Sequence, residues 1–229
     1  MPPWTWRAMK VSTGMDTPLT QHDDSRPPAW RRSGALFGVA KRTIDIVGGL
    51  CGPVMVAPVI VLCAAIIKLA DGGPVFYTQW RVGEDGWLFR IYKLRTMAQH
   101  AERSGEARFA ERNDPRILPG CAWMRKTHVD ELPQLWHIVR GEMSLVGPRP
   151  ERPEKMEELR PWIPRIDDRL AGRPGLTGLA QIRNGYTNDI AGARRKVAYD
   201  LRYLRNRTLL GEIKLILRTV PRFWDRSAC

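Results

Sequence analysis

Asp130 and Glu131 stand side by side in "THVDELPQLWHIVRGEMSLVGPRPE", and cationic side chains recur around them at constrained positions. Arg125 precedes the pair by about one helical turn. "GPRPE" returns Arg149 after a turn stiffened by Pro148 and Pro150, and "YKLRTM" supplies Lys93 and Arg95 at the end of a strand-like run. "GRPGLTG" sets Arg173 on a loop whose glycines let backbone N–H groups approach an anion. An acid before a helix is commonly only a cap, favoured by the positive end of the helix dipole. Abutting carboxylates repel, however, and are tolerated cheaply only where cations or a metal balance them. With arginines fixed by Gly and Pro rather than spread over helix faces, the chemistry that fits is phosphoryl transfer. A carboxylate can attack phosphorus and carry the group as an acyl phosphate. Mg²⁺ shared by carboxylates and phosphate oxygens would screen the charge, and arginines would clamp the equatorial and leaving oxygens.

Several elements must position these groups. Leu132, Leu135, Trp136 and Val139 recur at i, i+3, i+4 and i+7, which predicts a helix with one buried face. Pro133 suits its first turn and Gly141 its stop, so the two acids fall at the helix N-terminus. Upstream, Val75 to Val82 and Trp87 to Met97 are rich in aromatic and β-branched residues around "GEDG", which predicts a β-hairpin. Residues 98–116 are polar and read as a surface helix or loop. Beyond "RPGLTG" the chain is helical and rich in Arg. Its last helix carries Leu209, Leu210, Ile213, Ile216, Leu217 and Val220 on one side. That helix either faces a core or lies in a headgroup layer with its arginines snorkelling to lipid phosphates.

The stretch from Ile46 to Ile67 holds 22 residues without a charge, and about 20 suffice to cross a bilayer core. It also contains Gly48, Gly49, Gly52, Pro53 and Pro58, and an interior proline kinks or breaks a helix. A kinked spanning helix and a re-entrant helix–break–helix both accommodate this composition. Lys41 and Arg42 before the run, and Lys68 with a basic domain after it, favour the re-entrant form with both ends on the cytoplasmic face.

The chain of 229 residues can bury one sizeable core, and its formal net charge of +13 calls for a polyanionic partner. Nucleic acid fits poorly, because it leaves the apolar segment unexplained and the aromatics are not interleaved with the basic residues. Four scattered cysteines and four histidines show no zinc-ligand spacing and read as reduced thiols and ordinary side chains. Residues 1–33 lack periodicity and a signal-peptide core, and are expected to be a disordered tail. The expected division is a membrane-inserted segment over 34–72, a catalytic domain over 73–220 and a C-terminal tail over 221–229. The fold class expected is α+β, mostly helical, with a small β-hairpin and amphipathic surface helices.

The ordered set "APVI", "GGPVFYTQWRVG", "FRIYKLRTM", "MRKTHVDELPQLWHIVRGEMSLVGPRPE", "RPGLTGLAQI" and "YDLRYLRN" resembles the bacterial sugar transferase family, the small monotopic phosphoglycosyl transferases. The resemblance runs from about Lys41 to Val220. It implies transfer of a phospho-sugar from a UDP-sugar to polyprenyl (undecaprenyl) phosphate, with UMP released, as an initiating step of exopolysaccharide or other glycoconjugate synthesis. By the same resemblance Asp130 is the nucleophile and Glu131 the second acid, linked with Mg²⁺. Lys93, Arg125, Arg149 and Arg173 would line the nucleotide-diphosphate pocket, Arg95 is expected beside them, and Asp200 matches a further acidic position. Pro58 matches the break of a re-entrant helix. The implied partners are a UDP-sugar, polyprenyl phosphate and anionic lipids at the bacterial inner membrane, with a homo-oligomer left open. Three departures stand out: Ala57 precedes Pro58 where Ser is frequent, His128 and His137 replace a small hydroxylic residue and Asn, and Gly211-Glu212 occupies a position where Asp is usual. Neither His is expected to be catalytic. A binding protein without turnover, the rival reading, has no use for two abutting acids.

Overall fold

A computed structural model of the chain describes residues 34–99, 114–184, 189–219 and 221. The expected tail at 1–33, all but Pro221 of the expected tail at 221–229, and most of the 98–116 segment lie outside the described residues.

The apolar run forms one helix, α1 (Ala35–Asp71), of 37 residues, with Pro53 and Pro58 inside it and Gly72 closing it at φ 70°. The expected break at Pro58 is thus not seen as a division into two helices. A proline removes one N–H donor, and the bonds of the turns on either side suffice to carry the helix through. One stripe of α1 packs on the rest of the protein from end to end. Lys41 and Asp45 contact the chain near residues 144–146, Gly48, Gly49 and Gly52 face Leu145, Val139 and Leu135, and Cys63 and Ile67 join a core with Leu94, Leu118, Cys121 and Met124. The opposite face leaves Leu36, Val47, Leu50, Val54, Met55, Val61, Leu62 and Leu69 exposed.

The hairpin appears where aromatic and β-branched residues predict it. Strands β1 (Phe76–Val82) and β2 (Leu88–Leu94) pair antiparallel from Phe76 opposite Leu94 to Val82 opposite Leu88. Asp85 and Gly86 take positive φ in the turn, which suits the Asp-Gly pair there. A short helix α2 (Ala122–Lys126) leads into a 3₁₀ turn over Val129–Gln134 that runs on as α3 (Leu135–Arg140). Gly141, at φ 84°, ends α3, and Arg42 of α1 caps it, donating to the carbonyls of Ile138 and Val139 at 2.7 and 2.8 Å. The predicted buried face is shifted. Gln134, Leu135, His137 and Ile138 are buried while Trp136 is 57 % exposed, because the tighter 3₁₀ start rotates the register of everything after it.

Strands β3 (Ser144–Val146) and β4 (Gly175–Thr177) form a parallel pair that the sequence reading did not anticipate. At three residues each they are too short for a period to register. Gly147 and Gly175 are required by it: a Cβ on either would strike the other's backbone or that of Arg173. Helices α4 (Pro153–Leu159), α5 (Leu179–Arg183), α6 (Ile190–Arg205) and α7 (Leu209–Thr219) complete the body. Its main core joins Val146, Met156, Leu159, Ile166, Val197, Leu201, Leu204 and Leu215. The helix α7 does not bury its apolar side. Leu215 enters the core together with Glu212, and Leu210, Ile213 and Leu217 stay exposed, which suits a helix at an apolar boundary.

Candidate active site

Asp130 and Glu131 lie in the 3₁₀ turn, both buried, and neither is an N-cap. The cap position belongs to His128, at φ 53° and without a side-chain cap bond. The strand β2 brings Lys93 to the turn, where its Nζ donates to Glu131 Oε1 at 2.6 Å. Arg149 reaches in from the loop after β3. Its Nη1 donates to Glu131 Oε2 at 3.1 Å, and its Nη2 makes a short bond to Oε1. Glu131 is buried, which alone would raise its pKa, but Arg149 and Lys93 hold its carboxyl well below the usual range.

The Asp130 carboxylate has no hydrogen bond among the described residues. Burial pushes its pKa up to about 6, Lys93 pulls it down, Glu131 pushes it up again, and Arg125 and Arg149 lower it. Desolvation thus outweighs any dipole of the short α3 segment, and the Asp130 carboxylate is ionised above about pH 6. Arg125, from α2, stands close enough to act on Asp130 and donates to Thr96 Oγ1 at 3.3 Å. The helix α1 passes nearby, since Cys63 feels the Asp130 charge.

The loop carrying Arg149 is fixed from behind. Pro148 accepts a bond from Gly175 N at 2.9 Å, and Arg81 Nη1 donates to the Pro150 carbonyl at 3.1 Å. Arg169 Nη2 donates to the Arg149 carbonyl at 2.8 Å and to Asp200 Oδ2 at 2.7 Å, while Lys196 pairs with Glu151. Asp200, only 1 % exposed, thus sits behind Arg149 and is engaged by Arg169 rather than lining the site.

Two further expected ligands lie elsewhere. Arg95 is buried and spends its guanidinium on Asp71 at the end of α1, with Nη1 2.5 Å from Oδ2, and its Nε donates to the Pro74 carbonyl at 2.5 Å. It ties the end of α1 to β2 and has no arm left for substrate. Arg173 stands over Glu84 at 3.4 Å, beside a different cavity near the start of α1. His137 is buried, stacks on Tyr92 at 5.1 Å, accepts from Tyr92 N–H through Nε2 and places Nδ1 2.6 Å from Glu142. It packs β2 against α3. Sequence reasoning missed Arg169, Glu151, Lys196 and the buried amide of Gln134, whose Nε2 has no hydrogen-bond partner among the described residues and lies in the turn that carries the two acids. Only the "DELPQ" spacing hinted at Gln134.

The sequence model of a family described as bacterial sugar transferase matches residues 36–226, which covers the hairpin, the acidic pair and both glycine-bearing loops. The chain belongs to the bacterial sugar transferase family. Within it, this bacterial sugar transferase is 40 % identical over 184 residues to the UDP-glucose:undecaprenyl-phosphate glucose-1-phosphate transferase of Caulobacter vibrioides, covering 79 % of this chain and 68 % of that protein. It is 36 % identical over 198 residues to the exopolysaccharide production protein ExoY of Sinorhizobium fredii, covering 80 % and 85 %. The UDP-N-acetylgalactosamine-undecaprenyl-phosphate N-acetylgalactosaminephosphotransferase of Aeromonas hydrophila is 36 % identical over 185 residues, but there the match takes in 81 % of this chain and only 44 % of the relative.

Proposed function

We propose that the chain is a phosphoglycosyl transferase that moves a sugar 1-phosphate from a UDP-sugar to polyprenyl (undecaprenyl) phosphate at a membrane surface. The carrying observation is the unequal state of the two acids: Glu131 is held by Lys93 and Arg149, and Asp130 is buried among the same cations with its oxygens uncommitted. In the first half-reaction an ionised Asp130 oxygen attacks the β-phosphorus. The bond from that phosphorus to the bridging oxygen breaks, and the oxygen leaves with UMP. The sugar phosphate is then held on Asp130 as an acyl phosphate. In the second half an oxygen of polyprenyl phosphate attacks the same phosphorus and the Asp130 carboxylate is released. Lys93, Arg125 and Arg149 stabilise the charge that spreads over the phosphoryl oxygens.

Mg²⁺ fits this donor set in one way. No group of three or more His, Cys, Asp or Glu side chains among the described residues could hold a metal alone, whereas Mg²⁺ commonly takes one or two carboxylates plus substrate phosphates. Asp130 and Glu131 would hold it, and it would supply charge neutralisation to the diphosphate.

The stripe of α1 that packs on a single body at both ends supports an insertion in which both ends stay on the cytoplasmic face of the inner membrane, with the undivided helix turning its exposed apolar face toward lipid. Such an insertion would set Asp130 near headgroup height, where the lipid phosphate arrives. Exopolysaccharide or related glycan assembly is the process such a step would initiate. The test is UMP release and trapping of radiolabelled phospho-sugar in nanodiscs over a panel of UDP-sugars. Asp130→Asn should lose both, and product should form only with polyprenyl phosphate present. Full turnover in Asp130→Asn would remove the nucleophile assignment.

A further inference from the structure

A cavity of about 280 Å³ opens at the start of α1, lined by Phe37, Lys41, Arg42, Arg173 and Arg207 with Asp45 and Glu84. It lies at the opposite end of α1 from Cys63, the residue that feels Asp130. Lys41 and Cys63 are 22 positions apart, which at 1.5 Å per residue is roughly 30 Å of helix. Along α1 the cavity is therefore displaced from the acidic pair, while Arg173 lies on the loop whose Gly172 and Pro174 adjoin Arg149.

Its charges are unevenly used. Asp45 is buried and accepts from Ser144 Oγ and Leu145 N, each at 2.9 Å, which turns it inward. Lys41 pairs with Glu212 at 2.6 Å and donates to the Val146 carbonyl at 3.0 Å. Among the described residues Arg42 hydrogen-bonds only carbonyls and pairs with no carboxylate. Arg207 lies 5.8 Å from the Phe37 ring centroid, a cation on an aromatic face. Arg173 and Glu84 are both more than a third exposed and 3.4 Å apart, a pair that a stronger anion can displace. On the adjoining face of the same helical turns, Leu36 and Val39 are exposed. A basic pocket large enough for a polar headgroup thus borders an apolar surface.

We propose that this cavity binds the phosphate of an anionic phospholipid headgroup, with Arg173 and Arg207 as its principal ligands and Leu36 and Val39 along the acyl chains. Occupancy would anchor the start of α1, and Lys41 links that start to the strand preceding the Arg149 loop. The inference rests on the reading that α1 inserts in a bilayer.

The experiment uses the full chain in detergent, titrated with short-chain phosphatidylglycerol, short-chain phosphatidylcholine or inorganic phosphate and followed by thermal stability. Phosphatidylglycerol should bind saturably and about tenfold more tightly than phosphatidylcholine, because a net anionic headgroup meets two arginines. Arg173→Gln/Arg207→Gln should lose that preference, and Arg194→Gln/Arg195→Gln, which removes the same charge from α6, should keep it. Equal loss in both double variants would mean diffuse attraction to a basic protein and would overturn the site. Inorganic phosphate binding as tightly as phosphatidylglycerol would overturn the lipid assignment. Flotation on neutral phosphatidylcholine vesicles separately checks insertion of α1: failure there sinks the bilayer reading, while the detergent titration still reports on the pocket.

Discussion

Arg149 grips Glu131 with both arms of its guanidinium while Asp130, the next residue back, is left without a hydrogen bond among the described residues. A planar fork matched to a carboxylate holds geometry that a single ammonium cannot. Arg149→Lys should keep the charge and lose the alignment of the turn that carries Asp130. We expect kcat to fall about 10²-fold, with a smaller change in KM, because positioning rather than uniform binding is lost. Steady-state kinetics with a saturating lipid acceptor checks this, and an unchanged kcat would show that the second arm is idle.

The two acids should also titrate in opposite senses. Burial raises Asp130 from 3.8 to about 6, so its nucleophilic form is lost as pH falls through about 6, and the rate should fall with it. For stability the sign is the reverse of an ordinary ion-paired carboxylate. A raised folded pKa contributes stability that is complete below the unfolded value near 4 and is lost as pH rises through about 6. Asp130→Asn removes that loss. The variant should therefore exceed the parent by up to about 3 kcal/mol at pH 8, with the difference vanishing near pH 4, as denaturant melts at several pH values would read. Glu131, with its pKa depressed by Arg149 and Lys93, behaves conversely. Glu131→Gln should cost most at neutral pH and progressively less in acid.

What the sequence made legible follows from pattern length and from local chemistry. The hairpin was readable because seven-residue strands alternate around an Asp-Gly turn, and the long apolar helix because its run is long and uncharged. That Lys93, Arg125 and Arg149 gather round the acidic pair was legible in part, because Pro148 and Pro150 fix Arg149 and the end of a strand carries Lys93. The parallel pair β3–β4 was not, since three residues carry no period. Nor could spacing reveal that Arg95 turns back to Asp71, or that Arg169 stands between Asp200 and Arg149. Those partners lie 24, 31 and 20 residues apart, and a basic residue looks the same in sequence whether it meets a substrate or a buried acid.

Asp200 and Arg169 offer a test of positioning from a distance. Asp200 is buried, and burial raises its carboxyl while Arg169 and Lys196 pull it down. Its removal frees Arg169 from one of the two oxygens it hydrogen-bonds, the other being the Arg149 carbonyl, and leaves its looser pairing with Glu151. Asp200→Asn keeps the shape and loses the charge. We expect kcat to drop by about 10-fold with fold and UDP-sugar affinity nearly intact, and Arg169→Lys to do the same through lost geometry. If the two single changes and the double change all cost the same, the residues act as one relay; independent additive losses would deny it.

The re-entrant reading can be tested at the two ends of α1. A membrane-impermeant maleimide should label single cysteines at both ends from the cytoplasmic side alone. Ala40 is suitable at the first end. Gly72, at φ 70°, would strain any side chain, so the exposed Leu69 is the better second site. The parent for these variants needs Cys51 and Cys229 changed to Ser, because Cys51 is exposed on the helix and Cys229 lies outside the described residues, while Cys63 and Cys121 are buried. Ala40→Cys and Leu69→Cys should both react in inverted vesicles and neither in intact spheroplasts. A spanning helix would expose one of them in spheroplasts. That result would separate the ends of α1 by a bilayer, which is incompatible with Lys41 on Glu212 and Ile67 against Leu94 belonging to one folded body.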